Sequence, residues 1–246
     1  MRSLIAVFLF VASALALAQP NYAREKRWAD EITPSLVVGD AVYLAQKSGH
    51  KFLALYTAAA KPRAAVIVVH GVGVHPDWAL IGALRSQLAD QGYTTLAVQM
   101  PVLGAEAKGE DYAPLFPDAA ERLQDAVAFL RGKGARRIAL ASHSMGARMS
   151  NFFLTHATDS GIDAWVAIGL SSGEFAEPAK LRLPVLDIYG ERDLPQVLQM
   201  APARAAVLRS LRGSAQIEVA GADHFFAGYE SELVKQIRLF LDRRYN

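Results

Sequence analysis

The chain has 246 residues, of which 52% are apolar and 20% charged, the composition of a folded globular domain. Basic residues number 26 and acidic ones 24, a formal charge of +2 with no basic block, which argues against nucleic acid as a partner. There is no cysteine, so disulfides, thiolate zinc sites and a cysteine nucleophile are excluded.

At the N-terminus, Arg2 supplies a positive charge, residues 4–17 form an uncharged apolar run, and Ala16-Leu17-Ala18 supplies a small-x-small cleavage pattern. This is the pattern of a secretory signal peptide cut near Ala18. The run is short for a membrane span, which needs about 20 residues, and no cysteine follows it to carry a lipid. The expected product is periplasmic, or alternatively secreted, with no stable membrane anchor after cleavage. Residues 1–18 are thus read as signal peptide, 19–33 as a polar N-terminal arm or short helix, and 34–246 as one domain.

Within that domain, residues 34–44 and 51–58 read as paired strands joined by "QKSGH". Apolar runs then alternate with amphipathic segments. Strands are predicted over 64–69, 93–99, 137–142, 164–171, 184–190 and 215–221, and helices over 76–91, 118–131, 145–156, 196–211 and 229–243. Near-continuous apolar strands between helices predict a mostly parallel sheet covered on both faces, the α/β class.

In such sheets ligands bind beyond the carboxyl ends of the strands. The segment "RIALASHSMGAR" (137–148) places Ser144 at a strand-to-helix junction. A tight turn there needs small residues two before and two after the nucleophile. For Ser144 these are Ser142 and Gly146; for Ser142 they would be Leu140 and Ser144, and leucine would clash. The register selects Ser144. Serine at 142, where glycine is common, predicts strain on the order of 1 kcal/mol rather than a broken turn. The competing reading of "SHSMG" is a serine-rich helix cap.

A serine hydroxyl needs a base. Of six histidines, His224 in "AGADHFF" follows a strand and precedes the last helix. The acid candidate is Asp193 in "YGERD", with Glu191 as its neighbour and competitor, and capping of the next helix as its structural alternative. Two backbone N–H groups must meet the developing oxyanion. Met145 follows the nucleophile; Val72, or less favourably Gly71, would supply the second from "HGVGVHPDW", where Gly71 and Gly73 let the backbone turn. His70 reads as a brace for that loop and Trp78 as packing. His75 and Asp77 lack a third metal ligand, and "GVG" lacks the rest of a dinucleotide fingerprint. This chemistry calls for no cofactor and no metal.

The motifs "VVHGVG", "SHSMGA", "YGERD" and "GADHFF", in this order, resemble the α/β-hydrolase superfamily over nearly all of the chain after the leader. The stretch "HGVGVHPDWALIGALRSQLADQGYTTLAVQMPVL" with "PVLDIYGERD" is similar to a proteobacterial branch of mostly uncharacterised domains. The resemblance implies Ser144, Asp193 and His224 as catalytic triad and Met145 and Val72 as oxyanion hole, with Ser142 as the departure. It also implies a lid-less site, since about a dozen residues join the sixth and seventh strands. Residues 104–117 form the longest candidate rim, where Tyr112 and Phe116 either meet substrate or anchor the loop. The expected activity is hydrolysis of a small-molecule or lipid-like carboxylic ester. Thioesters and amides use the same machinery. A non-catalytic exported binding module is the second reading.

Overall fold

A computed structural model describes residues 19–245; the expected signal peptide lies outside them. Eight strands form one sheet: β1 (Asp40–Ala45), β2 (Lys51–Thr57), β3 (Ala65–Val69), β4 (Thr94–Val98), β5 (Ile138–His143), β6 (Ala164–Ile168), β7 (Val185–Arg192) and β8 (Ala215–Asp223). Their spatial order is β1-β2-β4-β3-β5-β6-β7-β8, with β1 and β2 antiparallel to their neighbours and the remaining pairs parallel. The carboxyl ends of β3 and β5 to β8 therefore open on one edge, where the loops that bear the candidate residues meet.

Side chains of a strand alternate between its faces, and the core divides accordingly. Ala65, Ile67, Val69, Trp165 and Ala167 pack with residues of α3 (Phe116–Gly132) and α4 (Met145–His156) on one face. Val66, Val68, Val166 and Ile168 pack with α1 (Tyr22–Ile32), α2 (Ala79–Asp90) and α7 (Glu230–Tyr245) on the other. Central strands buried on both faces explain why β3, "AVIVV", shows no polar alternation.

Two helices and the first strand differ from the sequence reading: of the strand expected over 34–44, only the part from Asp40 onward is extended as β1, and Thr33–Ser35 form a short 3-10 turn. The helix expected over 196–211 is two, α5 (Pro195–Gln199) and α6 (Ala201–Leu208), because Pro202 in the first turn of α6 has no N–H to continue the preceding turn. The helix expected from residue 76 starts at Ala79, after a turn that contains Pro76. Residues 19–33 contribute α1, capped by the Asn21 side chain, which accepts the Arg24 amide at 3.0 Å. That helix is docked: buried Glu25 accepts from both terminal nitrogens of buried Arg122 on α3, at 2.9 and 3.2 Å.

Candidate active site

Ser144 occupies the turn between β5 and α4 with φ 57° and ψ −119°. A side chain rarely adopts this region, so the turn stores strain of order 1–3 kcal/mol. Its neighbours hold it there: the Ser144 N–H donates to the Ile168 carbonyl at 2.9 Å, and the Ser144 carbonyl accepts the Ala147 amide at 3.0 Å. The turn presses α4 against the end of β3. A Cβ on Gly146 would collide with the His70 carbonyl oxygen and lie 2.8 Å from Val69 Cγ1, so only glycine fits.

Ser142 does not carry the expected strain. It lies in regular register between Val69 and Ala167, outside the left-handed region, and is fully buried. Its Oγ accepts the indole N–H of Trp165 at 2.7 Å. Trp165 is two residues before the partner of Ser142, a diagonal neighbour on the same sheet face. The hydroxyl that replaces a hydrogen atom here is spent on a buried donor, and the strain resides at Ser144.

His224 follows β8 directly. Its Nε2 lies 3.0 Å from Ser144 Oγ and its Nδ1 2.6 Å from Asp193 Oδ1. An ionised carboxylate only accepts, so Nδ1 carries the proton and Nε2 is left to accept from the serine hydroxyl. Asp193 follows β7, and its side chain is wholly buried. Burial pushes its carboxyl up, but the hydrogen bond from His224, with the amides of Leu194 at 2.7 Å and Gly190 at 3.3 Å, holds it below the usual carboxylate value. Glu191, its competitor, is exposed and accepts the Gly221 amide instead. Gly169 at the end of β6, with φ +51°, makes room: a Cβ there would stand 3.0 Å from His224 Nδ1 and 3.1 Å from Asp193 Oδ2.

Comparison with known proteins gives the same architecture. The family described as a protein of unknown function (DUF3530) matches residues 7–114. The chain is similar to a solved protein of unknown function from Agrobacterium tumefaciens, a putative α/β-hydrolase, at 21% identity and TM-score 0.66, covering 83% of this chain and 95% of that one. A serine hydrolase without lid from Xanthomonas campestris aligns at 18% identity and TM-score 0.64, over 85% and 96% of the two chains. A dienelactone hydrolase from Anabaena variabilis aligns at 19% and 0.65, over 82% and 96%. No curated protein matches.

The chain has an α/β-hydrolase fold. Within this α/β-hydrolase fold residues 169–184 join β6 to β7 and carry no inserted lid. Met145 and Val72 line the same cleft of about 370 Å³ as Ser144. The Met145 amide, in the first turn of α4, has no intrahelical acceptor, and the Val72 amide has no acceptor among the described residues. His70 fixes the second of these. The Met100 amide donates to its Nε2 at 2.9 Å, so its proton sits on Nδ1 and is donated to the Gly71 carbonyl at 2.8 Å. In a trans peptide C=O and N–H point oppositely, so holding the Gly71 carbonyl also aims the Val72 N–H. Burial drives the His70 pKa down to about 3, which keeps it neutral in this role.

His143 turns away from the Ser144 hydroxyl and instead donates Nε2–H to the His224 carbonyl oxygen at 2.8 Å, bracing the loop of the candidate base. The other histidines stand apart: His50 faces Glu25 at 3.4 Å and His156 is exposed on α4. Asp77 pairs with Arg85 at 2.5 Å rather than joining His75 in a metal site, and among the described residues no cluster of three ligand-type side chains forms. Tyr112 is buried, its hydroxyl accepting the Leu103 amide at 3.2 Å, and Phe116 packs against Phe152. Trp78 packs edge-on against Phe225, which follows His224. Asp187, read as part of a strand, forms a fully buried pair with Arg204 at 2.8 Å. Trp165, Gly169 and His143 were not singled out for these roles by the sequence. Gly169 alone left a signal, a glycine at a strand's carboxyl end. A separate cavity of about 530 Å³ between Tyr56, Arg63, Lys133 and Arg137 contains none of the candidate residues.

Proposed function

We propose that this protein is a serine hydrolase that cleaves carboxylic esters through an acyl-enzyme, with Ser144 as nucleophile, His224 as base and Asp193 as its orienting acid. The observation that carries the reading is the continuous relay from Ser144 Oγ through His224 to Asp193, at 3.0 and 2.6 Å. Ser144 Oγ attacks the ester carbonyl carbon while His224 Nε2 takes its proton. The carbonyl oxygen becomes an oxyanion that accepts from the Met145 and Val72 amides. Collapse expels the alcohol oxygen, which takes the proton from His224. Water, deprotonated by the same imidazole, then releases the acid and returns the proton to Ser144.

Fluorophosphonate labelling of the purified protein tests this. Labelling of the wild type that is lost in Ser144→Ala supports it; labelling that persists there reassigns the nucleophile. A folded wild type that takes up no label supports a non-catalytic binding module instead. Asp193→Asn should lower kcat by about 10⁴. Export to the periplasm is proposed from residues 1–18 alone, and a mature N-terminus near Gln19 in a periplasmic fraction is its expected sign.

A further inference from the structure

The cleft beside Ser144 contains a cation that, among the described residues, has no counterion. Arg148 lies four residues beyond Ser144 on α4, a rise of about 6 Å. Helical side chains lean toward the N-terminus, and Arg148 lines the same cleft as Ser144 and Met145. Two contacts hold its guanidinium. One nitrogen donates to the Gly109 carbonyl at 3.3 Å, and the guanidinium carbon stands 5.5 Å from the centre of the Phe116 ring.

The buried arginines Arg85, Arg122 and Arg204 are each paired with a carboxylate, of Asp77, Glu25 and Asp187 respectively. Arg148 is half-buried and, among the described residues, forms no such pair. Its pKa is lowered by burial, with no acid to restore it. Glu110 lines the cleft but is exposed and makes no ion pair with it. A partly desolvated guanidinium with free N–H groups is a receptor for a planar anion, to which it can bind bidentately.

We propose that Arg148 receives an anionic group on the acyl half of the substrate, which makes the preferred substrate an ester of a dicarboxylic acid whose second carboxylate is ionised. This rests on the serine-hydrolase reading above. The leaving oxygen must face His224 Nε2, which protonates it. His224 Nε2 meets Ser144 from the end of β8, whereas Arg148 stands on α4 in the cleft that the Met145 amide also lines, so the half of the ester directed away from His224 and along that cleft is the acyl chain.

The test compares 4-nitrophenyl hydrogen glutarate with 4-nitrophenyl pentanoate, which match in chain length and differ in the terminal carboxylate. The wild type should favour the glutarate ester in kcat/KM by about tenfold or more, from one charge-assisted contact. The preference should shrink with added salt, fall to one or below in Arg148→Gln, and lie between in Arg148→Lys. If Arg148→Gln does not fold, Arg148→Lys carries the test, because it keeps the charge and loses the paired geometry. A wild-type ratio of one, or a ratio unchanged by both variants, overturns the proposal. Fluorophosphonate labelling run alongside separates the two readings. A labelled enzyme with a ratio of one loses the Arg148 assignment only, and an unlabelled protein that cleaves neither ester loses both.

Discussion

The hydroxyl of Ser142 and the indole of Trp165 satisfy one another inside the sheet, Oγ accepting from Nε1 at 2.7 Å with both residues fully buried. Restoring the commoner residue should therefore harm the protein. Ser142→Gly leaves the indole N–H without an acceptor, at about 1–3 kcal/mol, and adds a flexible residue to a strand, at about 0.5–1 kcal/mol. The melting temperature should drop by several degrees, at about 2–4 °C per kcal/mol for a chain of this size, while the rate of fluorophosphonate labelling does not rise. A variant as stable as the wild type would show that the bond contributes nothing.

Gly146→Ala should be far more damaging than its one methyl group suggests. The new Cβ meets Val69 at the end of β3 and the His70 carbonyl in the loop that carries the proposed second oxyanion amide. Overpacking costs about 1–3 kcal/mol, and a displacement near 1 Å at the reacting atoms costs about 10²-fold in rate. Gly132→Ala, with open space around its Cβ and a place in α3, is the control. Equal activity in the two variants would contradict the close packing of α4 on β3.

Acid should unfold the protein early. Burial, first of all, holds His70 at about 3 and His143 at about 4, against an ordinary 6.5. Between pH 6.5 and 4 the unfolded chain binds more protons than the folded one, so stability is complete above 6.5 and falls as the pH drops. Two such histidines should remove on the order of 3 kcal/mol between pH 7 and pH 5. Asp193, held below its ordinary value, adds a further loss only below about pH 4. Urea unfolding at both pH values reads this, and His143→Gln should remove about half of the difference. A pH-independent stability across this window would contradict two buried neutral histidines.

Glu25→Gln should destabilise the fold by about 1.5–3 kcal/mol, because the fully buried Arg122 guanidinium loses its closest carboxylate and keeps only Asp118, at 3.3 Å, beside it. Thermal melting of Glu25→Gln measures the loss. The pair Glu25→Met with Arg122→Met should recover much of it, since no lone charge then remains buried. If the single and double variants melt together, the pair is not the anchor of α1.

Local pattern made most of this legible. The apolar strands, the alternation with helices and the order Ser144, Asp193, His224 all follow from runs of neighbouring residues. The register argument that chose Ser144 over Ser142 needed only the residues two positions away on either side. What escaped depends on contacts distant in sequence. Glu25 and Arg122 are joined across the fold, so α1 reads as a polar segment until its partner is known. Ser142 reads as a defect until Trp165 is placed beside it. The break between α5 and α6 was local, marked by Pro202 inside an amphipathic stretch, and the periodicity on either side concealed it. His143 is a neighbour of Ser144, yet its contact is with the chain 81 residues on.

The short connection between β6 and β7 has a chemical consequence. On the proposed mechanism, with no lid inserted between β6 and β7, an acyl group esterified to Ser144 would stand in contact with the bulk medium, and whichever hydroxyl compound reached it first would carry it away. In dilute buffer that compound is water. In a medium rich in alcohols or sugars the same intermediate would be intercepted, and the protein would make new esters as well as break old ones.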